Sequence, residues 1–137
     1  FDLIITNPPY LESSSSNPSP EKRKNSANIE TEVDLATWLN FSAKFLKPGG
    51  NISLIHRADR LDHILALMRI SFGGLTVYPL WPKTGRPAKR VIVSGIKGSA
   101  SPTKILPGAI IHNVDGSYTA PVQAALTGEK LLADLLN

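Results

Sequence analysis

The chain opens on a short hydrophobic run, Leu3-Ile4-Ile5-Thr6, which is followed closely by Pro8 and Pro9. A run without alternation of apolar and polar residues indicates a strand that is buried on both faces, as in a parallel sheet. Proline fixes φ and has no N–H to donate, so the two prolines must end this strand. We therefore predict a buried strand at residues 3–6.

Helical and extended spacings then alternate along the chain. Residues 30–46 carry apolar side chains at helical spacing, and the sequence Lys47-Pro48-Gly49-Gly50 ends that helix. Residues 52–56 are predicted to form the next strand. A second helix is predicted from Asp59, as its N-cap, to Ile70, before a Gly-Gly pair breaks it.

Strand-like runs continue in the second half of the chain, at residues 75–81 and 91–96. The loop that joins them is too short for a parallel crossover, so these two strands should be antiparallel. The remaining expected elements are short strands at residues 104–106 and 109–112, a turn at 114–117, a helix at 121–126 capped by Thr119, and a terminal helix at 129–136.

This order of elements predicts an α/β fold with an open, largely parallel sheet and helices on its faces. Trp38 and Phe41, on the first helix, are expected in the core. Residues 11–28 are rich in Ser, Pro, Asn and charge, and are predicted to form a mobile surface loop. We predict one domain at residues 1–98, with a small appendage at residues 99–137 packed on it.

Composition narrows the possible functions only in part. Fifteen Lys and Arg residues against eleven Asp and Glu give a net charge of +4, which is compatible with nucleic-acid binding. The absence of cysteine excludes disulfides, a thiolate nucleophile and a Cys-based zinc site. His56, His63 and His112 lack metal-ligand spacing, so we expect no metal. With no signal peptide and no long apolar run in the sequence, we expect a cytoplasmic protein.

The clearest chemistry lies in the turn Asn7-Pro8-Pro9-Tyr10. An aromatic or amide nitrogen is a poor nucleophile, because its lone pair is delocalised. The Asn7 side-chain oxygen and the Pro8 carbonyl, which Pro9 holds rigid, can accept hydrogen bonds from an NH₂ group and stabilise the positive charge that grows during methyl transfer. Tyr10 can stack on a planar substrate. The turn follows a strand, where open α/β sheets bind their ligands.

Two features make the chain similar to class I methyltransferases, which use S-adenosyl-L-methionine. They are the opening Phe1–Tyr10 segment and the Leu-Lys-Pro-Gly-Gly sequence before the next strand. Residues 86–93 and 111–119 also resemble the bacterial tRNA(Val) adenine-N6-methyltransferase family, which methylates the adenine just 3′ of the anticodon. The resemblance implies a Rossmann-like fold, a tRNA substrate, and a site in which Asn7, Pro8, Pro9 and Tyr10 hold the target base, with Asn7 also at the cofactor.

The resemblance has a large gap at its start. The family's glycine-rich cofactor loop and its acidic ribose-binding residue have no counterpart in the sequence, so the remainder of the cofactor site is expected upstream of Phe1. Of the family's strand order 3-2-1-4-5-7-6, the chain would keep 4-5-7-6, the C-terminal half. Its first strand would be an apolar edge, covered by the missing half or by a second copy. The isolated chain is expected to be an inactive fragment.

Two basic clusters are predicted to contact RNA phosphates, with solvated loops as the alternative interpretation. One lies between the last two strands of the domain and the other lies in the serine-rich loop. The first cluster consists of Lys83, Arg86, Lys89 and Arg90. The second consists of Lys22, Arg23 and Lys24.

Some neighbouring residues have a structural and a functional interpretation. Trp81 is expected to pack under the basic loop, with stacking on a base as the alternative. Arg57 and Arg60 are expected to pair with Asp59 or Asp62, with substrate contact as the alternative.

Other functions stay open on the sequence alone. N5-glutamine methylation of release factors uses the same Asn-Pro-Pro-Tyr turn, and other rRNA or DNA amino-methyltransferases are also possible. The basic loop favours RNA. The alternative outside enzymes is an RNA-binding remnant, or a partner subunit without cofactor binding.

Overall fold

A computed structural model describes residues 1–8 and 35–129. Pro9, Tyr10, the predicted loop at residues 11–28 with its basic cluster Lys22, Arg23 and Lys24, and residues 130–137 lie outside the described residues. The described elements are β1 (Leu3–Thr6), α1 (helical residues 35–45), β2 (Asn51–Arg57), a 3₁₀ turn (Ala58–Arg60), α2 (Leu61–Met68), β3 (Phe72–Trp81), β4 (Arg90–Lys97), β5 (Lys104–Ile105), β6 (Ala109–Ile110) and α3 (Ala120–Leu126).

The strands form one mixed sheet in the order β1-β2-β4-β3, with β5 and β6 both paired to the outer side of β3. β1 and β2 are parallel, whereas β4 is antiparallel to both β2 and β3. The connection between β3 and β4 is a short loop, which permits only the antiparallel pairing. This arrangement confirms the predicted strand order and the predicted antiparallel last strand.

The core lies between the helices and one face of the sheet. Leu54, Val93 and Val77 stand opposite one another on β2, β4 and β3, and each is at most 1% exposed. Alternate residues of a strand share one face, so this row continues along the strands as a single apolar layer. The core cluster consists of Leu35, Leu39, Leu46, Ile52, Leu54, Ile64, Met68, Phe72, Leu75, Val77, Val91 and Val93.

The opposite face of the sheet is open at β1. Ile4 pairs with the buried Ile52 and packs against the core, whereas Leu3 and Ile5 point the other way and are 53% and 75% exposed. The expectation that β1 is buried on both faces is therefore wrong for the described residues. β1 pairs only with β2 among the described strands, so its other edge is unpaired in the part of the chain that the structure describes.

Aromatic side chains on α1 also face outwards. Trp38, Phe41 and Phe45 are 41%, 54% and 50% exposed, so the expected burial of Trp38 and Phe41 in the core is wrong. The cause is helical phase: Leu35 and Leu39 occupy the stripe that faces the sheet, and the aromatic residues fall on another side of the helix. Their rings contact one another, with centroids 6.3 Å apart for Trp38–Phe41 and 4.5 Å apart for Phe41–Phe45.

The boundaries of α2 differ from the prediction. Asp59 is not its N-cap, because it lies inside the 3₁₀ turn; Arg60 occupies the cap position without a side-chain hydrogen bond. The helix ends at Met68. None of the described helices is long and apolar enough to cross a lipid bilayer.

Gly73 and Gly74 were predicted to end the second helix, but they lie inside β3, and α2 has already ended at Met68. The register between β3 and β4 shifts between Gly73 and Thr76. A Cβ atom on Gly73 would lie 1.9 Å from the Ser99 carbonyl oxygen, so this close crossing of two backbone segments requires glycine. Strand β3 therefore begins at Phe72, earlier than predicted.

The unequal burial of two isoleucines predicts unequal effects on stability. Ile52→Ala should lower the free energy of unfolding of residues 1–137 by about 2–5 kcal/mol, because it opens a cavity in the core. Ile5→Ala is the matched control and should cost less than about 1 kcal/mol, since that side chain is mostly exposed. Urea denaturation measures both, and equal losses would contradict the assignment of the two faces.

Candidate active site

Asn7 and Pro8, the described residues of the predicted Asn-Pro-Pro-Tyr turn, follow β1 at the edge of the sheet where β1 and β2 both end. Parallel register pairs Thr6 with Leu54, so the residues that follow each strand lie at the same edge. Asn7 is exposed there, and Pro8 is buried. We call this the carboxyl edge, since ligands of open α/β sheets bind at the carboxyl ends of their parallel strands.

The basic loop lies at the same carboxyl edge. Antiparallel pairing sets Arg90, at the start of β4, opposite Arg57 at the end of β2 and opposite Leu80 near the end of β3. The backbone N–H of Ala58 donates a hydrogen bond of 3.0 Å to the carbonyl of Lys89. The structure thus brings the loop that joins β3 and β4 to the edge that carries Asn7.

All four predicted cations of this loop, Lys83, Arg86, Lys89 and Arg90, are exposed. Lys83 has a structural contact, because its Nζ donates a hydrogen bond of 3.1 Å to the carbonyl of Val114. The carboxyl edge therefore presents positive charge on the β3 and β4 side of Asn7.

Arg57 forms an ion pair with Asp59, as the structural interpretation of Arg57 predicted. The Arg57 Nε donates to one carboxylate oxygen of Asp59 at 3.0 Å, and a second guanidinium nitrogen contacts the other oxygen. The hydrogen bond from Arg57 holds the pKa of Asp59 below its ordinary value. Both side chains are at least half exposed, so the pair orients Arg57 more than it stabilises the fold.

His56 lies beneath the carboxyl edge, as a buried residue near the end of β2 with only 2% of its surface exposed. Burial lowers its pKa below the ordinary value of 6.5, and the charges of Arg60 and Arg57 act in the same direction. A hydrogen bond to the Arg57 backbone and the Asp59 carboxylate oppose this shift. His56 is therefore a neutral, structural histidine at pH 7.

The segment after β5 runs beside β3 towards the same edge. Ala109 pairs with Leu80, and further on the N–H of His112 donates a hydrogen bond of 3.1 Å to the Pro82 carbonyl. Gly108, with a φ of +80°, lets the two backbones approach, since a Cβ there would lie 2.1 Å from the Pro79 carbonyl oxygen.

Trp81 is hydrogen-bonded to this segment, whereas the sequence predicted that it packs under the basic loop. Its indole N–H donates a hydrogen bond of 3.0 Å to the Pro107 carbonyl, and the side chain is half-buried. It also lines an open groove of about 580 Å³ together with Lys83 and Arg86. Trp81 is therefore anchored to the segment after β5, and it borders a groove that the basic loop also lines.

Sequence reasoning missed a second recess at the carboxyl edge. It has a volume of about 230 Å³ and is lined by Leu80, Pro82, Lys89, Arg90, Ile111 and His112. The His112 ring stacks on Tyr118 across a tight turn, where the two residues form an isolated antiparallel bridge. The signal in the sequence was the Asp-Gly turn with an aromatic residue on either side, which had suggested only a turn.

The described residues hold no group of three or more His, Asp or Glu side chains that could bind a metal ion. The groups gathered at the carboxyl edge are the exposed Asn7 amide, the four cations of the basic loop, the Arg57–Asp59 ion pair and a partly apolar recess. This combination can bind a polyanion and can accept hydrogen bonds from an amine.

Comparison with curated proteins finds tRNA methyltransferases among the relatives of this chain. The tRNA1(Val) (adenine(37)-N6)-methyltransferase of Glaesserella parasuis is 32% identical over 100 residues, and that of Actinobacillus pleuropneumoniae is 34% identical over 95 residues. Each match covers 69% of this chain and 39% of the relative. The chain is homologous to the C-terminal part of these tRNA methyltransferases. No protein-family model matches it.

A solved structure supports the methyltransferase fold. A predicted O-methyltransferase from Agrobacterium tumefaciens superposes with a TM-score of 0.73 and 26% sequence identity, over 93% of this chain and 51% of that protein. The chain thus has the fold of a partial, Rossmann-like methyltransferase domain, and the resemblance found in its sequence is confirmed. It spans well under half the length of the tRNA methyltransferase relatives.

Burial of His56 predicts a specific pH dependence of stability. The folded pKa lies below the unfolded value of 6.5, so the unfolded chain binds more protons as the pH falls below that value. The contribution of His56 to the free energy of unfolding should therefore be fully present above pH 6.5. It should be lost as the pH is lowered through the folded pKa.

His56→Gln should flatten this dependence, whatever its effect on absolute stability, because it removes the titrating group. Urea denaturation between about pH 5 and pH 8 tests this, a range in which the Asp59 carboxyl stays ionised. Parallel pH curves for the two proteins would contradict the assignment to His56.

Proposed function

We propose that this chain is the substrate-side part of an S-adenosyl-L-methionine-dependent enzyme that methylates the N6 amino group of an adenine in tRNA. The observation that carries the proposal is that Asn7, at the end of β1, and the basic β3–β4 loop lie at the same edge of the sheet. The names of the tRNA methyltransferase relatives support the same substrate and reaction.

The proposed chemistry assigns separate roles to the residues of the turn. S-adenosyl-L-methionine, when bound, supplies an electrophilic methyl group on a sulfonium sulfur. The Asn7 side-chain oxygen and the Pro8 carbonyl accept hydrogen bonds from the two N6 hydrogens, which localises the lone pair on the attacking nitrogen. Pro9 fixes the position of the Pro8 carbonyl, and Tyr10 stacks on the adenine.

The methylated product needs no side-chain base. As the nitrogen–carbon bond forms, the carbon–sulfur bond breaks and its electron pair stays on sulfur. The nitrogen then carries a positive charge and is strongly acidic, so its extra proton passes to water. The exposure of Asn7 fits this role, because its amide is accessible both to a base and to a cofactor at the carboxyl edge.

The cofactor contacts beyond Asn7 are proposed to come from the part of the relatives that this chain does not match. The same part, or a second copy of the chain, is proposed to cover β1. Leu3 and Ile5 on the open sheet face support this, since apolar edge strands are normally paired or covered. Trp38, Phe41 and Phe45 add an exposed aromatic surface on α1.

The exposed cations of the basic loop are proposed to bind tRNA phosphates, together with Lys22, Arg23 and Lys24. A tRNA substrate implies a cytoplasmic enzyme. The division into a domain at residues 1–98 and an appendage at residues 99–137 stays a prediction.

Removal of the Asn7 amide tests the catalytic role. In the polypeptide that joins this chain to the cofactor-binding half, Asn7→Ala should lower kcat for tRNA methylation by about 10²–10³-fold, because one preorganised acceptor is lost. Affinity for tRNA should change little. Asn51→Ala is the matched control, since Asn51 is an exposed asparagine at the opposite end of β2. Full activity of Asn7→Ala would overturn the assignment.

Removal of two cations tests the RNA contacts. The double variant Lys89→Ala/Arg90→Ala should weaken tRNA binding, and each lost phosphate contact should reduce the slope of log K against log salt by about 1. The control variant Lys44→Ala/Arg69→Ala removes the same charge from two exposed positions, one on α1 and one just after α2. Its slope of log K against log salt should equal that of the unaltered protein. Filter binding across a salt series measures both, and equal slopes for the two variants would exclude the loop from the interface.

The isolated chain provides the last test of the proposal. Residues 1–137 alone should transfer no methyl group to tRNA, since most of the proposed cofactor site is contributed by another segment. Incorporation of labelled methyl groups measures this, with the joined polypeptide as the positive control and a release factor as the alternative substrate. Turnover by residues 1–137 alone would disprove the division of the active site, and methylation of the release factor in place of tRNA would disprove the substrate.

A further inference from the structure

The turn between His112 and Tyr118, which we call the His112–Tyr118 hairpin, is held in one shape by its own hydrogen bonds. The N–H of Asn113 donates to the Ser117 carbonyl at 2.8 Å. The Asp115 carboxylate accepts from the Ser117 N–H at 2.9 Å and from its hydroxyl at 2.6 Å, and these bonds lower the pKa of Asp115. The hairpin is therefore ordered without a ligand, which reduces the entropy cost of binding one.

Two further contacts fix the hairpin to the carboxyl edge. Lys83 Nζ donates to the Val114 carbonyl at 3.1 Å, which ties the hairpin tip to the basic loop. At its base, the N–H of Thr119 donates to the Ile111 carbonyl at 3.0 Å. The hairpin and the basic loop consequently form one surface.

The hairpin displays an aromatic pair on this surface. The rings of His112 and Tyr118 lie with centroids 5.0 Å apart and planes 26° apart, so they are stacked. His112 is half-buried and lines the 230 Å³ recess, whereas Tyr118 remains 47% exposed. Val114, at the tip, is 93% exposed. A stacked pair with an exposed outer ring can be extended by another flat ring.

Cations and apolar side chains surround the same recess. Lys89 and Arg90 line it from the basic loop, and Leu80, Pro82 and Ile111 supply its apolar surface. An apolar and aromatic surface suits the faces of a nucleobase, and adjacent cations suit the phosphates on either side of it. No described acidic side chain lines the recess.

The recess is too far from Asn7 to receive the base that is methylated. Two strands, β2 and β4, lie between β1 and β3. At about 4.8 Å per strand, β1 and β3 are roughly 14 Å apart. A base bound at the hairpin must therefore belong to another nucleotide of the same RNA.

We infer that the His112–Tyr118 hairpin and the adjoining Lys89/Arg90 recess bind a second nucleobase of the substrate RNA by stacking, separate from the base at Asn7. This inference rests on the proposed function, because it requires an RNA substrate at the carboxyl edge. The stacked base holds the RNA in register while the target adenine occupies the catalytic turn.

The experiment uses the polypeptide that joins this chain to the cofactor-binding half, and a stem–loop RNA that contains the target adenine. Binding is measured for Tyr118→Leu and for Tyr118→Phe, with the intact RNA and with RNAs that each lack one base of the loop. Tyr118→Phe is the matched control, since it keeps the aromatic ring.

Tyr118→Leu should bind the intact RNA about 5- to 100-fold more weakly, the range found when a stacking ring is removed. Its salt slope should stay that of the unaltered protein, because no phosphate contact is lost. Removal of one particular base from the RNA should weaken its binding to the unaltered protein by a similar factor. The same removal should weaken binding to Tyr118→Leu little further. Tyr118→Phe should bind like the unaltered protein.

A second measurement needs no protein variant, in case Tyr118→Leu disturbs the hairpin. A photoreactive 5-iodouridine at the position found in the base-removal series should crosslink to Tyr118 or His112, as mapped by mass spectrometry. Crosslinks from every loop position to other residues only would overturn the inference, as would independent, additive losses from Tyr118→Leu and base removal.

The results also separate this inference from the proposed function. If the unaltered polypeptide methylates tRNA and Tyr118→Leu binds as tightly as Tyr118→Phe, the stacking site is disproved and the proposed function stands. If the unaltered polypeptide neither binds nor methylates tRNA, both are disproved.

Discussion

The register between β1 and β2 is the constraint on which the rest of the site depends. Parallel pairing of Thr6 with Leu54 brings Asn7 to the edge where β2 also ends. A slip by one residue would move Ile4 out of the core and reverse both faces of the strand. The buried row formed by Ile52 and Leu54 prevents that slip, so the packing of the core also determines the position of Asn7.

Insertion of β4 between β2 and β3 extends this arrangement to the basic loop. Because β4 is antiparallel, the loop that precedes it must lie at the edge where the parallel strands end. Arg90, opposite Arg57, belongs to the ladder itself, so its backbone position is as well fixed as that of the core. The candidate site thus combines Asn7, at the end of β1, with cations beside the ends of β3 and β4, so its groups are distributed across one sheet.

The sequence indicated most of the strands, because prolines, glycines and apolar runs mark their ends clearly. The strand order required the family resemblance, since local patterns do not say that β4 enters between β2 and β3. Burial was predicted poorly where it depends on which side of a helix a residue occupies. Trp38 and Phe41 are apolar, yet they lie on a side of α1 that faces away from the sheet. The Asp-Gly sequence predicted the turn between His112 and Tyr118 but not the stacking of their rings, which depends on how the closed hairpin pairs.

The place of β4 also has a consequence for how the chain folds. β3 and β4 are joined by a short loop, and residues 72–97 pair locally before any distant contact is needed. Local hairpins close in microseconds, whereas pairing of β1 with β2 must first close a long loop of chain. The β3–β4 hairpin should therefore form early and then add its free β4 edge to β2. The last part of the sheet to assemble would be β1, the strand that leads into Asn7 and Pro8.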